Sequence, residues 1–391
     1  MPDQNRSQLY SQGFPDSISS FQHLIDPRTG NAKRHYFGEL IFIALCSIIT
    51  NGEGFDDMER FAQNKEDWVR KYCILPGGIP SDDTFRRLFT ALNPKEFNSC
   101  FITFAQQITG ELPPQLIALD GKTVRHSFDH GDPNSSIHLI SAWATESQIS
   151  LGQLEIGEKS NEIPAIPKLI DMLDIKGHTV SLDAMGCQKS IAQAIQFAEA
   201  DYLLALKGNH GTLHKEVIDF FSDPVAWRDL KAKGYKFSSH VSEDGGHGRI
   251  EKRTVLVSNA IDWIENSERK HWLGLKSIVC IESERIEKTK SSTERRYYLT
   301  SLEPDASVIA PMIRGHWGIE NQCHWVLDVV WREDDARMRK GNAAQNVALL
   351  RKLALNLIKC NTPVKDTIKG IRYRATLNDS ILEAIVGQPK S

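Results

Sequence analysis

Residues 116–125 read LIALDGKTVR, and residues 178–188 read HTVSLDAMGCQ. Each is a run of strand length that ends on an aspartate, Asp120 in the first and Asp183 in the second, with a glycine close behind. An aspartate at the end of an apolar strand costs free energy through desolvation unless a cation offsets it. In an α/β sheet the carboxyl end of a strand is where ligands meet the protein. Taken singly, each aspartate would cap a helix or open a turn. Two in matching contexts point to one cation-binding site.

Outward from these two stretches the pattern alternates. HLISAWAT (138–145) and ISLGQLEIG (149–157) read as strands, with Gly131-Asp132-Pro133-Asn134 as a turn before them. NEIPAIPKLIDMLDI (161–175), CQKSIAQAIQFAEA (187–200) and HGTLHKEVIDFFS (210–222) read as helices, and DYLLALK (201–207) as a strand. The order β-β-β-α-β-α-β-α predicts a mixed α/β sheet flanked by helices. KFSSHVSE, GRIEKRTVLVSN, LKSIVCIESERI and ERRYYLTSL then return to strands, and helices resume at Ala306. Residues 236–303 are therefore read as a β-rich insertion that splits a catalytic domain into 113–235 and 304–391, the second part ending in a helical tail. Upstream, GELIFIALCSIITNG (38–52), DDMERFAQNKEDWVRKY (56–72) and DDTFRRLFTALN (82–93) carry helical periodicity, with Ser81 or Asp82 as the expected N-cap of the last. Residues 1–112 are read as a helical N-terminal domain that opens with a polar arm.

Bulk properties narrow the class. Of 391 residues, 40% are hydrophobic and 25% charged, which describes a globular chain and excludes a disordered or fibrous one. A net charge of −3 does not advertise nucleic-acid binding, but local clustering of Lys and Arg decides that question. The seven cysteines are scattered and form no C-x-x-C pair, so neither a disulfide framework nor a zinc knuckle is expected, and a reducing cytoplasm is the expected compartment. His210 and His214 stand four apart without the intervening glutamate of a zinc-protease helix. MPDQNRSQLYSQ lacks the features of a signal peptide, and the apolar run Leu40 to Ile49 is about half the ~20 residues that span a bilayer.

The third informative stretch is HWGIENQCHWVLDVVWREDDAR, residues 316–337. Read by period alone it is an amphipathic helix in which Glu320 would serve as a salt-bridge partner. Yet it gathers His316, Trp317, Glu320, Asn321, His324 and Trp325, more chemistry than packing needs. LDGKTVR, LDAMGCQ, LALKGNH (204–210) and this block together resemble transposases of the ISAs1 group, the H-repeat-associated proteins, within the IS4-like DDE superfamily. GGIPSDDTFRRLF (77–89) and EKSNEIPAIPKLIDML (158–173) extend the resemblance over nearly the whole chain.

The resemblance implies a ribonuclease-H-like α/β catalytic domain in which Asp120, Asp183 and Glu320 bind divalent metal, Mg²⁺ with Mn²⁺ as a substitute. It implies cleavage of transposon ends and their joining to target DNA, and a homodimer holding the terminal inverted repeats of double-stranded DNA near the bacterial nucleoid. A nuclease or resolvase that cuts without joining, and a catalytically silent DNA-binding derivative, remain as alternatives. The superfamily often carries Tyr, Arg and Lys around its glutamate, where this chain has Ile313, His316 and Leu327. Candidate DNA contacts are Lys122 and Arg125 after the first acid, Lys207, Asn209 and His210 at the next strand end, and Arg314, His316, Asn321, His324 and Arg332 around Glu320. Arg86-Arg87 lie on the N-terminal helix that would enter the major groove of the terminal repeat, unless that domain is a purely structural cap, and Lys252-Arg253, Lys288, Lys290, Arg295-Arg296, Arg337, Arg339-Lys340 and Arg351-Lys352 are further basic positions of the kind that contact phosphates.

Overall fold

The computed structural model describes residues 16–29, 33–109, 113–127, 136–156, 162–246, 249–264, 271–287 and 290–387. The expected turn at 131–134, Lys288 and the first part of the polar arm lie outside the described residues. A short 3₁₀ helix, Asp16–His23, leads into α1 (Phe37–Ile49), in which every residue from Glu39 onward is buried. A helix that is apolar on all sides can only be a core helix. It stops at Asn51, whose φ of 71° is left-handed, and at Gly52, where a Cβ would stand 2.2 Å from the Ser47 hydroxyl. α2 (Phe55–Asn64) and α3 (Glu66–Val69) follow, split at Lys65 where the sequence suggested one helix. Ser81 does precede α4 (Asp82–Ala91), but its hydroxyl meets Thr84 Oγ1; the Asp82 N–H donates instead to Glu59 of α2 at 2.8 Å. α5 (Pro94–Thr109) completes the N-terminal helices.

The sheet begins with β1 (Leu116–Thr123), β2 (His138–Ala144) and β3 (Ile149–Ile156), an antiparallel meander. α6 (Glu162–Met172), β4 (Thr179–Leu182), α7 (Lys189–Phe197), β5 (Asp201–Leu206), α8 (Gly211–Phe221) and α9 (Pro224–Ala232) follow. β4 pairs parallel with both β1 and β5. The order β3-β2-β1-β4-β5, antiparallel then parallel, is the ribonuclease-H-like sheet. β6 (Phe237–Gly246), β7 (Arg249–Ser258), β8 (Ser277–Glu287) and β9 (Lys290–Thr300) form an antiparallel array, and β9 pairs with β5 from Leu203↔Thr300 to Leu206↔Tyr297. The β-rich stretch thus extends the same sheet to nine strands.

α10 (Ala306–Gly315), a π-helical turn at Ile319–His324, and α11 (Trp325–Val330) cross the sheet. α12 (Ala343–Asn361), α13 (Ile368–Leu377) and α14 (Asp379–Val386) close the chain. Strand alternation sorts the side chains onto two faces. Ile117, Leu119, Val180, Leu182, Tyr202 and Leu204 pack with α6, α7 and α8 on one. Ala118 and Trp143 face the other way and join a core built from α1–α5, the Ile319–His324 turn and α12–α14. N-terminal and C-terminal helices therefore share one apolar interior: Lys65 meets Asp379 at 2.5 Å, and Trp68 Nε1 donates to Glu383 at 3.0 Å. Among the described residues no helix is long and apolar enough to cross a membrane.

Candidate active site

In the β1–β4 pair, Leu116 lies opposite Thr179 and Ala118 opposite Ser181. The pairing stops there: Asp120 is two residues further along β1, and Asp183 follows Leu182, the last residue of β4. Both share the parity of Ala118 and Ser181, so they project from the face that carries the Ile319–His324 turn. Adjacent strands lie about 4.8 Å apart, which makes the two aspartates neighbours by backbone alone.

The chain after Asp183 is held in place piece by piece. Asp183 Oδ1 accepts the N–H groups of Met185 and Gly186 at 3.0 and 3.2 Å. A Cβ on Gly186 would press to 2.6 Å from Leu182 Cδ2, so the turn is tight as well as hydrogen-bonded. From the end of β5, Asn209 Nδ2 donates to the Ala184 carbonyl at 2.8 Å, and His210 Nε2 to the Cys187 carbonyl at 2.7 Å. The His210 ring also stands edge-on to Trp272. Asn209 and His210, expected as DNA contacts, are committed to fixing the Asp183 turn.

Glu320 approaches from the other side, exposed on the π-helical turn. One turn before it, His316 Nδ1 lies 2.9 Å from Ser181 Oγ on β4. Burial lowers the His316 pKa below the usual histidine range, and the charges of Asp120, Asp183 and Glu320 act in the opposite direction. One turn after Glu320, His324 is buried, with Nδ1 3.4 Å from Asp120 Oδ2. Asp120 Oδ1 accepts the Gly121 N–H at 2.9 Å. Among the described residues, no three or more His, Cys, Asp or Glu side chains lie close enough together to hold a metal ion as they stand.

Lys122 does not reach outward as expected. Its ammonium turns inward to Asp328 of α11 and to Glu333, 2.7 Å away. Burial would raise the Glu333 carboxyl, but Lys122, Arg351 and Lys352 overcome it and hold that group below its usual range. Asp328 and Glu333 were not singled out from sequence. Their signal was present: Asp328 continues a four-residue spacing through His316, Glu320 and His324.

Residues 18–105 match the DDE_Tnp_1-associated family, and residues 111–357 match the family described as transposase DDE domain. Over 364 residues the chain is 37% identical to the transposase-named protein YncI of Escherichia coli O157:H7, covering 92% of each. Over 356 residues it is 35% identical to the H-repeat-associated protein YhhI of Escherichia coli K12, covering 90% of this chain and 92% of that one. The chain belongs to the DDE transposase family, among the H-repeat-associated proteins. A solved piggyBac transposase synaptic complex with hairpin DNA aligns over 96% of this chain and 81% of that one, at 12% identity and a TM-score of 0.41, a likeness too weak to build on.

Several basic residues of the transposase are employed internally. Ile313 and Leu327, at positions where the superfamily often has Tyr and Lys, are core residues. Arg351 and Lys352 are buried in α12; Lys352 donates to Ser141 Oγ at 2.6 Å and Gln153 Oε1 at 2.7 Å, fastening helix to sheet, so neither is a surface phosphate contact. Arg314 pairs with Asp244 at the tip of β6, and Arg332, itself at φ 50°, pairs with Asp335 and Glu53. Arg253 pairs with Asp244 and Glu251, Arg295 with Glu282 and Arg296 with Glu294. Lys207, Asn321 and Arg125 remain exposed near the acids, Arg125 alongside Asp334.

Proposed function

We propose that this transposase cleaves transposon ends and joins them to target DNA by phosphoryl transfer, with Asp120, Asp183 and Glu320 as the metal-holding acids. The observation that carries the reading is two aspartates at the ends of the paired strands β1 and β4, with Glu320 one turn from His316, whose ring meets Ser181 on β4. The donor set suits the group: carboxylate oxygens are hard ligands fit for Mg²⁺ or Mn²⁺, and no ion pair joins Asp183 or Glu320 to a cation among the described residues. A pair of such ions would activate the attacking oxygen and stabilise charge on the leaving 3′-oxygen.

The chain's own residues supply the positioning. The Asp183 turn is locked by Asn209 and His210, so its carboxylate is presented without a search through conformers. His316, kept neutral by burial, sits among the acids without displacing cations from them. Lys207, Arg125 and Asn321 grip phosphates of the strand to be cut, and His316 and Ser181 form the polar floor beneath it. The N-terminal helices contact the terminal repeat through α4, where Arg86 and Arg87 are exposed and form i,i+4 pairs with Asp82 and Asp83, Arg86 also lying over the Phe55 ring. Two ends must be held together for joining, so the working form on DNA is a homodimer.

Replacing Asp183 by Ala is expected to abolish Mg²⁺-dependent cleavage of a transposon end while end binding persists in gel shift. Full cleavage by that variant rejects the assignment. Joining is tested separately: a pre-cleaved end with a free 3′-hydroxyl should be transferred into a second DNA. Cleavage without any joined product would favour a nuclease of the same fold.

A further inference from the structure

His316, Glu320, His324 and Asp328 recur at intervals of four residues. Three of them touch the sheet: His316 meets Ser181, His324 faces Asp120, and Asp328 accepts from Lys122. A regular α-helix has 3.6 residues per turn, so each four-residue step overshoots by about 40°, and four such positions fan over about 120°. A straight helix would therefore carry one end of this stripe off the sheet. The π-helical turn at Ile319–His324 intervenes at this point, with the Trp325 N–H donating to the Glu320 carbonyl five residues back. Its wider turn takes back the overshoot and keeps the stripe on one line.

Within that line His324 is unusual. Its side chain is 8% exposed, and its Nε2 has no hydrogen-bond partner among the described residues. A position that served packing alone would carry an apolar side chain, since a buried polar atom without a partner is a cost that needs a reason. The reason lies with the other nitrogen. The Asp120 carboxylate has one oxygen on the Gly121 N–H and the other 3.4 Å from His324 Nδ1, the nearest side-chain nitrogen recorded against it.

We propose that His324 is the positioning residue for Asp120, and that the π-helical turn exists to bring its imidazole to that carboxylate while Glu320 still faces the site. The inference rests on the reading of Asp120 as a metal-holding acid. Partners that orient metal-holding groups are worth about 10–100-fold in metal affinity.

The test uses the full-length chain without DNA and reads Mn²⁺ binding by electron paramagnetic resonance, beside thermal unfolding. His324→Leu fills the same buried space and is expected to weaken Mn²⁺ binding about tenfold or more with the melting temperature held. His324→Asn returns a donor near the Nδ1 position and is expected to restore most of the affinity. Unchanged Mn²⁺ binding in His324→Leu, or equal losses in the Leu and Asn variants, overturns the proposal. If the Leu variant does not fold, His324→Met, likewise without a donor, takes its place and is judged by the same outcomes beside the Asn variant. A wild-type chain that binds no Mn²⁺, or an Asp183→Ala chain that binds it unchanged, is a different failure, that of the three-acid reading itself.

Discussion

In the proposed site, the two aspartates and the glutamate are positioned by different physics. Asp120 and Asp183 are neighbours because β1 and β4 are hydrogen-bonded in register, and the Asp183 turn is tied to residues within about two dozen positions of it. Glu320 is placed by side-chain packing, with Ile319, Cys323 and Leu327 in the shared apolar core, and by two polar bridges, His316 to Ser181 and Asp328 to Lys122, that span 135 and 206 residues of sequence. Backbone pairing is cooperative and insensitive to side-chain identity, whereas a side-chain bridge fails with one substitution. The difference teaches that the glutamate side of the site is the fragile side.

Three substitutions press on that contrast. Lys122→Met should have the largest effect, because it removes the ammonium that bonds buried Glu333 and half-buried Asp328, leaving Glu333 only the more distant Arg351 and Lys352; removing one partner of a buried pair costs about 3–5 kcal/mol. Urea unfolding should show that loss, and cleavage should fall with it; a variant within 1 kcal/mol of wild type (about the worth of an exposed pair) would mean that the clamp is idle. His210→Ala comes next. It releases only one carbonyl of the Asp183 turn while the sheet register stays, so cleavage should drop about tenfold, the worth of one ordinary hydrogen bond, with stability nearly unchanged. A loss as complete as that of Asp183→Ala would erase the distinction between the two sides.

The smallest effect is in acid. Glu333 has a lowered carboxyl pKa in the folded chain, so its contribution to stability is complete above the unfolded carboxylate value of about 4.3 and is lost as pH falls through the lower folded value. Between those two values the folded chain should lose up to about 1.4 kcal/mol per pH unit through this one proton. Glu333→Gln should flatten that limb of the stability curve, and an unaltered slope would remove Glu333 from the account.

How much of this was legible follows from the same contrast. A strand-end aspartate taken singly also reads as a cap or a turn, and it was the matching contexts of Asp120 and Asp183 that singled them out; the alternation of strands and helices led directly to the mixed sheet. Continuation of that sheet through β9 was not legible, because Leu204 and Leu299 pair through backbone groups that carry no residue code. Lys122 read as a phosphate contact because charge beside an acid normally faces water; only the fold supplies Asp328 and Glu333. Arg351 and Lys352 misled for the same reason, on a helix that proved to be central rather than terminal. The spacing of His316, Glu320, His324 and Asp328 was plain in the sequence, but a 3.6-residue wheel scatters it, and the π-helical turn that gathers it leaves no mark in composition.

The shared interior of α1–α5 and α12–α14 has a consequence for synthesis. As the chain leaves the ribosome, its first helices emerge with their apolar faces bare, and the partners that cover them are made more than two hundred residues later. At about 5–20 residues per second, that interval exposes α1 to other hydrophobic surfaces for tens of seconds or less, long enough to need chaperone cover. A message cut short before Ala343 would leave the uncovered half with nothing to close it.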